Sequence, residues 1–488
     1  MTDAAPTARS TARGVAWMTA TSMGARIVGL LGTIAMTRFL APEVVGEVAT
    51  ASIITLTAGW LSTWGFGQYA VVYGRGDAAL EITWHATVAY AVVGVVGLGG
   101  VALAAPWLAG LLDASGAAHY VPGLAAAAVI RRIGATPERV LTRGLRFRAV
   151  GLAAAAGEVT YSIVALACAA RGWGGDAVVA GNVAQSTMAT ALLVRAAGWR
   201  AWATPARLRW SRFAHMMRFG VPLAVQGIAH SASRYWGTLL VTRLFGAGAT
   251  GVYNLAYNLA DVPAIYVGEQ LALVLMPSLA GLPPERRARA LERSAALLSL
   301  IIFPLAIGLG LVAQPLVATA LSGAWQGVAT LLTVLAALSV FRPITWVLSA
   351  YLESFGRTGR LMLLEIANLA VMLGAMWLLS PLGLAWSAAA IGASFGLYAV
   401  AGVWVATRDG GPSVRRLALG FAGPLAACGV MAAAVLAVRP WLAVPAPAQL
   451  ALEVAIGAAV YVAAAFAICG PTARDLVSLA RGLRRQDA

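Results

Sequence analysis

Six arginines, Arg26, Arg131, Arg132, Arg139, Arg234 and Arg342, stand inside stretches apolar enough to cross a lipid bilayer. A guanidinium is planar, permanently charged, and presents a fork of N–H donors that matches phosphate oxygens two at a time. A charge at the bilayer centre costs at least about 2.5–3.5 kcal/mol on insertion scales, so it persists only where it faces a wet cavity or a partner. Two roles follow. Each arginine is either an interhelical pin, paired with Glu158, Asp261, Glu269 or a backbone carbonyl, or part of a cationic vestibule for phosphate. Arg131 and Arg132 are adjacent, hence about 100° apart on a helix. One is expected to face the cavity and the other to take a carboxylate such as Glu158. Arg139 lies near a span end and is expected to snorkel. Acidic residues inside spans are Glu158, Asp261, Glu269 and Glu365. Asp261 precedes Pro263, whose missing N–H frees a carbonyl, so a cation site, a hinge and a simple arginine partner all remain open there.

The elements that hold these residues are set by composition. The chain has 488 residues, 60% hydrophobic and 11% charged, with a mean hydropathy of +0.79, which excludes a soluble core and indicates an all-α polytopic membrane protein. All 35 basic residues are arginine. Without lysine there is no phosphate-binding loop of the Gly-Lys-Ser/Thr type and no Schiff base. The net charge of +16 reflects membrane orientation and anionic lipid, not nucleic acid. Cys168, Cys428 and Cys469 sit singly in apolar runs and read as core residues. His85, His119, His215 and His230 have no metal spacing, so neither metal nor cofactor is expected. No Gly-x-Ser-x-Gly or Asp-x-Asp motif and no long external loop offers a place for catalysis, so the chain is not read as an enzyme. Trp17, Trp60, Trp64, Trp236, Tyr253 and Tyr257 are the right type to stack on sugar rings or to anchor helix ends.

At about 20 residues per span, fourteen helices are expected: 14–38, 48–72, 83–105, 120–141, 150–170, 176–196, 219–243, 252–278, 293–314, 327–352, 361–380, 384–406, 416–438 and 448–469. Of the arginines outside the spans, 25 fall at the termini and after even-numbered helices, and 4 after odd-numbered ones. By the positive-inside rule both termini are cytoplasmic. The polar first thirteen residues lead into a span without a cleavage site, so no removable signal peptide is expected. Thr33, Thr37, Arg38 and Gly46 align without a gap on Thr238, Thr242, Arg243 and Gly251, an offset of 205, and Pro106 to Arg132 resembles Pro315 to Arg342. The offset spans six helices, an even number, so the two halves share a polarity and form a parallel repeat. The expected organisation is a cytoplasmic tail (1–13), an N-lobe of helices 1–6 (14–200), a C-lobe of helices 7–12 (201–410), helices 13–14 (411–470) and a cytoplasmic C-terminal tail (471–488).

Five stretches carry a resemblance: ARGVAWMTATSMGARIVGLLGTIAMTRFLAPEVVGEVA, LSTWGFGQYAVV, LTRGLRFRAVG, VTRLFGAGATGVYNLAYNLADVP and YLESFGRTGR. Through them the chain resembles the bacterial polysaccharide (O-antigen/exopolysaccharide) flippases of the multidrug/oligosaccharidyl-lipid/polysaccharide exporter superfamily. The resemblance covers about the first 360 residues. It implies two six-helix lobes, alternating access, and passage of a polyprenyl-diphosphate-linked oligosaccharide from the cytoplasmic to the outer leaflet, with membrane lipids and polysaccharide assembly proteins as partners. The diphosphate is then expected at Arg26, Arg234 and one of Arg131 or Arg132, with Arg342 assisting. Glu158, Asp261 and Glu269 are the candidates for cation coupling or ion pairing. Relatives that move the peptidoglycan precursor use arginines in the first and eighth helices; Arg26 matches the first, but Asp261 and Glu269 occupy the eighth. A drug/cation antiporter of the same superfamily would need an acidic cavity, and a membrane glycan polymerase or ligase a larger external loop.

Overall fold

The computed structural model describes residues 24, 27–61, 64–74, 78–263, 282–355, 358–407 and 412–486, and among them every regular element is helical. Nine of the described helices are long and apolar enough to cross a membrane. They coincide with the expected spans 3, 5, 6 and 9 to 14. The other five are missing from that count for local reasons. The first lies largely outside the described residues, the second is broken at Trp64 and Gly65, and the fourth carries too many charges. The seventh and eighth run into one another, and most of the eighth is outside the described residues. Inside the spans, hydroxyls bond to the carbonyl one turn back, as Thr33 does to Gly29 (2.9 Å) and Thr50 to Gly46 (2.9 Å), which satisfies them within their own helix.

The chain forms two compact units, residues Met1–Gly251 and Val252–Ala488. The first contains α1 (Ile27–Met36), then α2 (Pro42–Leu61), α3 (Phe66–Tyr73), α4 (Ala79–Leu103), α5 (Ala105–Leu111), α6 (Ala117–Arg143), α7 (Phe147–Ala169), α8 (Asp176–Ala197), α9 (Trp199–Trp202) and most of α10 (Trp210–Ala260). α10 is interrupted at Gly246, whose φ of 81° and ψ of 178° suit only glycine. Gly246 is the repeat counterpart of Ala41, the residue before α2 begins at Pro42, so the structure restarts its helix at the same register in both repeats. The packing around this point is reciprocal. A Cβ on Gly46 would collide with the carbonyl oxygen of Ala247, and one on Gly251 with that of Pro42, positions related by the same offset of 205. Two backbones cross in contact there, which only glycine at both positions permits. The buried hydroxyls of Thr50 and Thr242 join across the crossing at 2.9 Å, and Thr250 adds a second bond by donating to Thr242 at 3.0 Å. Thus α10 packs on α2 on both sides of Gly246, and the first compact unit ends at Gly251.

The second unit continues with α11 (Pro284–Leu311), α12 (Ala313–Ala320), α13 (Gly327–Leu338), α14 (Arg342–Ser354), α15 (Thr358–Leu379), α16 (Leu384–Thr407), α17 (Val414–Val438), α18 (Ala446–Ile468) and α19 (Gly470–Gln486). The short α5 and α12, each with a proline in its first turn (Pro106, Pro315), follow the third and ninth spans and account for the second sequence match. α17 and α18 are fastened to α11. Leu300, Phe303, Cys428, Met431, Tyr461 and Cys469 share one buried cluster, and the Tyr461 hydroxyl donates to the Leu300 carbonyl at 2.6 Å. Both cysteines are free. At the opposite end of α17, Arg439 makes a two-pronged pair with Glu453 (2.9 and 2.8 Å) and donates to the Leu311 carbonyl at 2.5 Å. Glu453 is 1% exposed but Arg439 30%. Arg439→Ala strands a buried carboxylate and is expected to cost about 3–5 kcal/mol; Glu453→Ala leaves an arginine that still reaches water and should cost less. Thermal unfolding of the purified variants checks this order, and equal losses would contradict it.

Candidate functional site

α6 assembles the site. Its 27 residues include Arg131, Arg132, Glu138, Arg139 and Arg143. Steps of seven and four from Arg132 to Arg139 to Arg143 place those three arginines on one helical face. The helix borders a cavity of about 660 Å³ within the first unit. Its wall holds Arg131, Arg132 and Arg139 from α6, Trp60 from α2, Gln68 from α3, Tyr90 from α4, Asn182 from α8 and Ser231 from α10. This volume is in the range that takes a small polar head group. The wall offers guanidinium, amide, hydroxyl and aromatic surfaces, the groups that recognise phosphate and sugar.

The arginines of α6 and the turn after it fall into two sets. One set closes helix C-termini, whose last carbonyls have no partner within their own helix. Arg132 donates from Nη2 to the Gly59 carbonyl at the end of α2, with its guanidinium 6.0 Å from the Tyr90 ring centre. Arg143 donates from Nη1 to Gly74 at 2.6 Å after α3, and Arg146 from Nη1 to Ala196 at 2.7 Å at the end of α8. Tyr90 in turn accepts the Gly67 N–H at 2.7 Å, fixing the start of α3 on α4. The other set is Arg131 and Arg139. Among the described residues neither donates a hydrogen bond to the protein, so their N–H groups remain available to a ligand. The carboxylate acting on Arg131 is Glu158. Glu158 also accepts from Gln185 Nε2 at 2.7 Å and lies 3.2 Å from where a Cβ on Gly29 of α1 would stand.

Arg131 and Arg132 therefore both border the cavity, although adjacent residues point apart: long side chains curve to one space while Arg132 spends its fork on a carbonyl. Arg139, expected to snorkel, borders it too. Its signal was available in the step of seven from Arg132, whereas the carbonyl-capping roles of Arg143 and Arg146 depend on where other helices end. Arg234 lies on α10, one turn beyond Ser231, with its guanidinium 5.6 Å from the Tyr235 ring centre. Arg342 is in the second unit, where it forms an ion pair with Asp261 and donates to the Tyr257 hydroxyl at 2.9 Å. It also lies 5.0 Å from the Phe395 ring centre. Arg26 and Glu269 lie outside the described residues. No group of three or more His, Cys, Asp or Glu residues with metal-binding geometry occurs among the described residues.

Comparison with known proteins gives this geometry a setting. The chain is 28% identical over 130 residues to the lipopolysaccharide biosynthesis protein WzxC of Escherichia coli K12, covering 26% of each chain. It is 23% identical over 325 residues to the succinoglycan biosynthesis transport protein ExoT of Rhizobium meliloti, covering 65% of this chain and 64% of that one. The matches thus span a quarter to just under two thirds of these relatives. In fold, the chain is similar to the lipid II flippase MurJ in an inward closed conformation, with a TM-score of 0.79 at 10% identity over 94% of this chain and 99% of MurJ. An inward-facing multidrug resistance MATE transporter of the MOP superfamily follows at a TM-score of 0.63 and 16% identity, covering 80% of this chain and 98% of that one. The family model described as polysaccharide biosynthesis protein matches residues 35–330, well over half of the chain, and this multi-pass helical membrane protein belongs to that family.

Proposed function

We propose that this protein moves a polyprenyl-diphosphate-linked oligosaccharide from the cytoplasmic to the outer leaflet of the bacterial inner membrane, and that the cavity of the first unit receives the head group. The observation that carries the reading is the pair Arg131 and Arg139, whose donors make no hydrogen bond among the described residues, in a cavity that also offers Trp60, Gln68 and Asn182. An oligosaccharide diphosphate needs both surfaces: guanidinium for the phosphates, and amide and aromatic groups for the sugars. Arg234 stands next to this wall and Arg132 holds its shape. The lipid tail stays in the bilayer while the cavity is exposed alternately to the two sides. With both termini cytoplasmic, an inside-negative potential favours export of an anion by about 2.3 kcal/mol per charge per 100 mV. Asp261 is neutralised by Arg342, which favours drive by the potential over cation exchange at that carboxylate.

A cation-coupled drug antiporter would need a mainly acidic cavity, whereas the described wall sets Arg131, Arg132 and Arg139 against one carboxylate, Glu138. The test is reconstitution of the full chain in liposomes carrying a labelled polyprenyl-diphosphate oligosaccharide, with the outer-leaflet fraction read by an impermeant lectin or oxidant. Export is expected to depend on the protein and to rise with a potential of the correct sign. A protein-independent distribution across several acidic and neutral glycans would overturn the reading.

A further inference from the structure

The second unit carries a basic surface of its own. α17 and α18 lie outside the two sequence repeats, and α19, in the stretch read from the sequence as a C-terminal tail, is a 17-residue helix that begins directly after the last span. Three chain segments meet at one level. Glu292 of α11 accepts the Ser413 N–H at 2.7 Å and pairs with Arg416 of α17 at 3.4 Å. Arg293 of α11 pairs with Asp475 of α19 at 2.9 Å. Ala473, 4% exposed, roots α19 in the cluster that holds Leu300, Phe303 and Tyr461. Residues 284–293, 412–419 and 470–486 together contain ten arginines against three carboxylates, far more positive charge than the ion pairs consume. Arg286, Arg289, Arg415 and Arg474 are all exposed.

The same level exposes apolar side chains. Val414 and Leu419 at the start of α17 are 58% and 62% exposed, next to those arginines. α19 repeats the combination in its sequence. Ala473, Leu476, Val477, Ala480 and Leu483 recur at helical spacing along one face, with Arg484 at the same register, and Arg474, Arg481 and Arg485 share an adjacent face. Apolar residues bordered by arginine on a helix that leaves the last span form the pattern of an in-plane interfacial helix. A soluble acidic partner would match the charge but leave Val414 and Leu419 facing acyl chains that it cannot reach.

We infer that the ends of α11, α17 and α19 form a collar that binds anionic phospholipid head groups of the leaflet beside it, with α19 lying in the interface. The identity of that leaflet, the cytoplasmic one, rests on the orientation proposed above; the collar itself does not depend on what is transported. The arginines supply several phosphate contacts at once, and the exposed valine and leucine sit against the acyl chains just below.

The test uses the full chain in phosphatidylcholine nanodiscs, with phosphatidylglycerol added, and native mass spectrometry to count lipid retained on release. The wild type is expected to retain phosphatidylglycerol over phosphatidylcholine and to unfold at a higher temperature when it is present. The variant Arg289→Gln/Arg415→Gln/Arg474→Gln should lower that preference roughly tenfold or more. Its unfolding temperature in phosphatidylcholine alone should equal that of the wild type. Arg171→Gln, an exposed arginine of the first unit, serves as the control and should change nothing. Undiminished phosphatidylglycerol retention by the triple variant, or equal retention of the two lipids by the wild type, would overturn the collar. Because lipid retention is read without any transport, the collar and the transport reading fail separately.

Discussion

Arg131→Gln/Arg139→Gln is expected to lower transport of the lipid-linked oligosaccharide by about two to four orders of magnitude, while the protein folds and inserts normally. A hydrogen bond to a charged group contributes about 1.5–3 kcal/mol, so losing one such contact at each position removes about 3–6 kcal/mol of head-group binding, and each 1.4 kcal/mol is tenfold. Folding is spared because, among the described residues, neither side chain bonds to a backbone carbonyl. Arg132→Gln should behave in the opposite way. It uncaps α2 at Gly59, so its first effect is a lower unfolding temperature of the purified protein. Lysine at positions 131 and 139 keeps the charge but loses the planar fork, and an intermediate loss is expected. The initial rate of outer-leaflet appearance in proteoliposomes, set against thermal unfolding, separates these effects. If the Arg131/Arg139 double variant transports at the wild-type rate, the first-unit cavity is not the phosphate site.

Much of the fold was legible because lipid imposes it. Nine spans were found within a few residues, since a run of about 20 apolar residues is both necessary and visible. The repeat was legible too, and the restart of the helix after Ala41 and Gly246 confirms its register. What escaped the sequence was decided by contacts between distant segments. The packing of α10 on α2 at this crossing follows from glycines at 46 and 251 meeting opposing carbonyls, which neither position announces alone. The division of labour among the arginines of α6 and its following turn depends on which helices end beside Arg132, Arg143 and Arg146. α19 was hidden because its apolar run is too short and too interrupted by arginine to look like a span.

The pair Asp261–Arg342 tests whether a deep arginine is a pin or a substrate contact. Asp261 is 1% exposed and Arg342 12%, so Asp261→Ala leaves a guanidinium with its counter-charge gone and is expected to destabilise the protein by about 3–5 kcal/mol. Removing both charges is a different operation. In Asp261→Leu/Arg342→Met no ion is stranded, the volumes are similar, and the second side chain still packs against Phe395 and Tyr257; such replacements are often neutral or stabilising. The unfolding temperature should therefore fall in the single variant and recover in the double one. Transport then decides the role. Arg342 has Asp261 and the Tyr257 hydroxyl on its fork, which leaves it poorly placed to hold phosphate, so the stable double variant is expected to keep most of its activity. Loss of transport in a double variant that unfolds at the wild-type temperature would return Arg342 to the substrate path and make Asp261 the group it leaves when the diphosphate arrives.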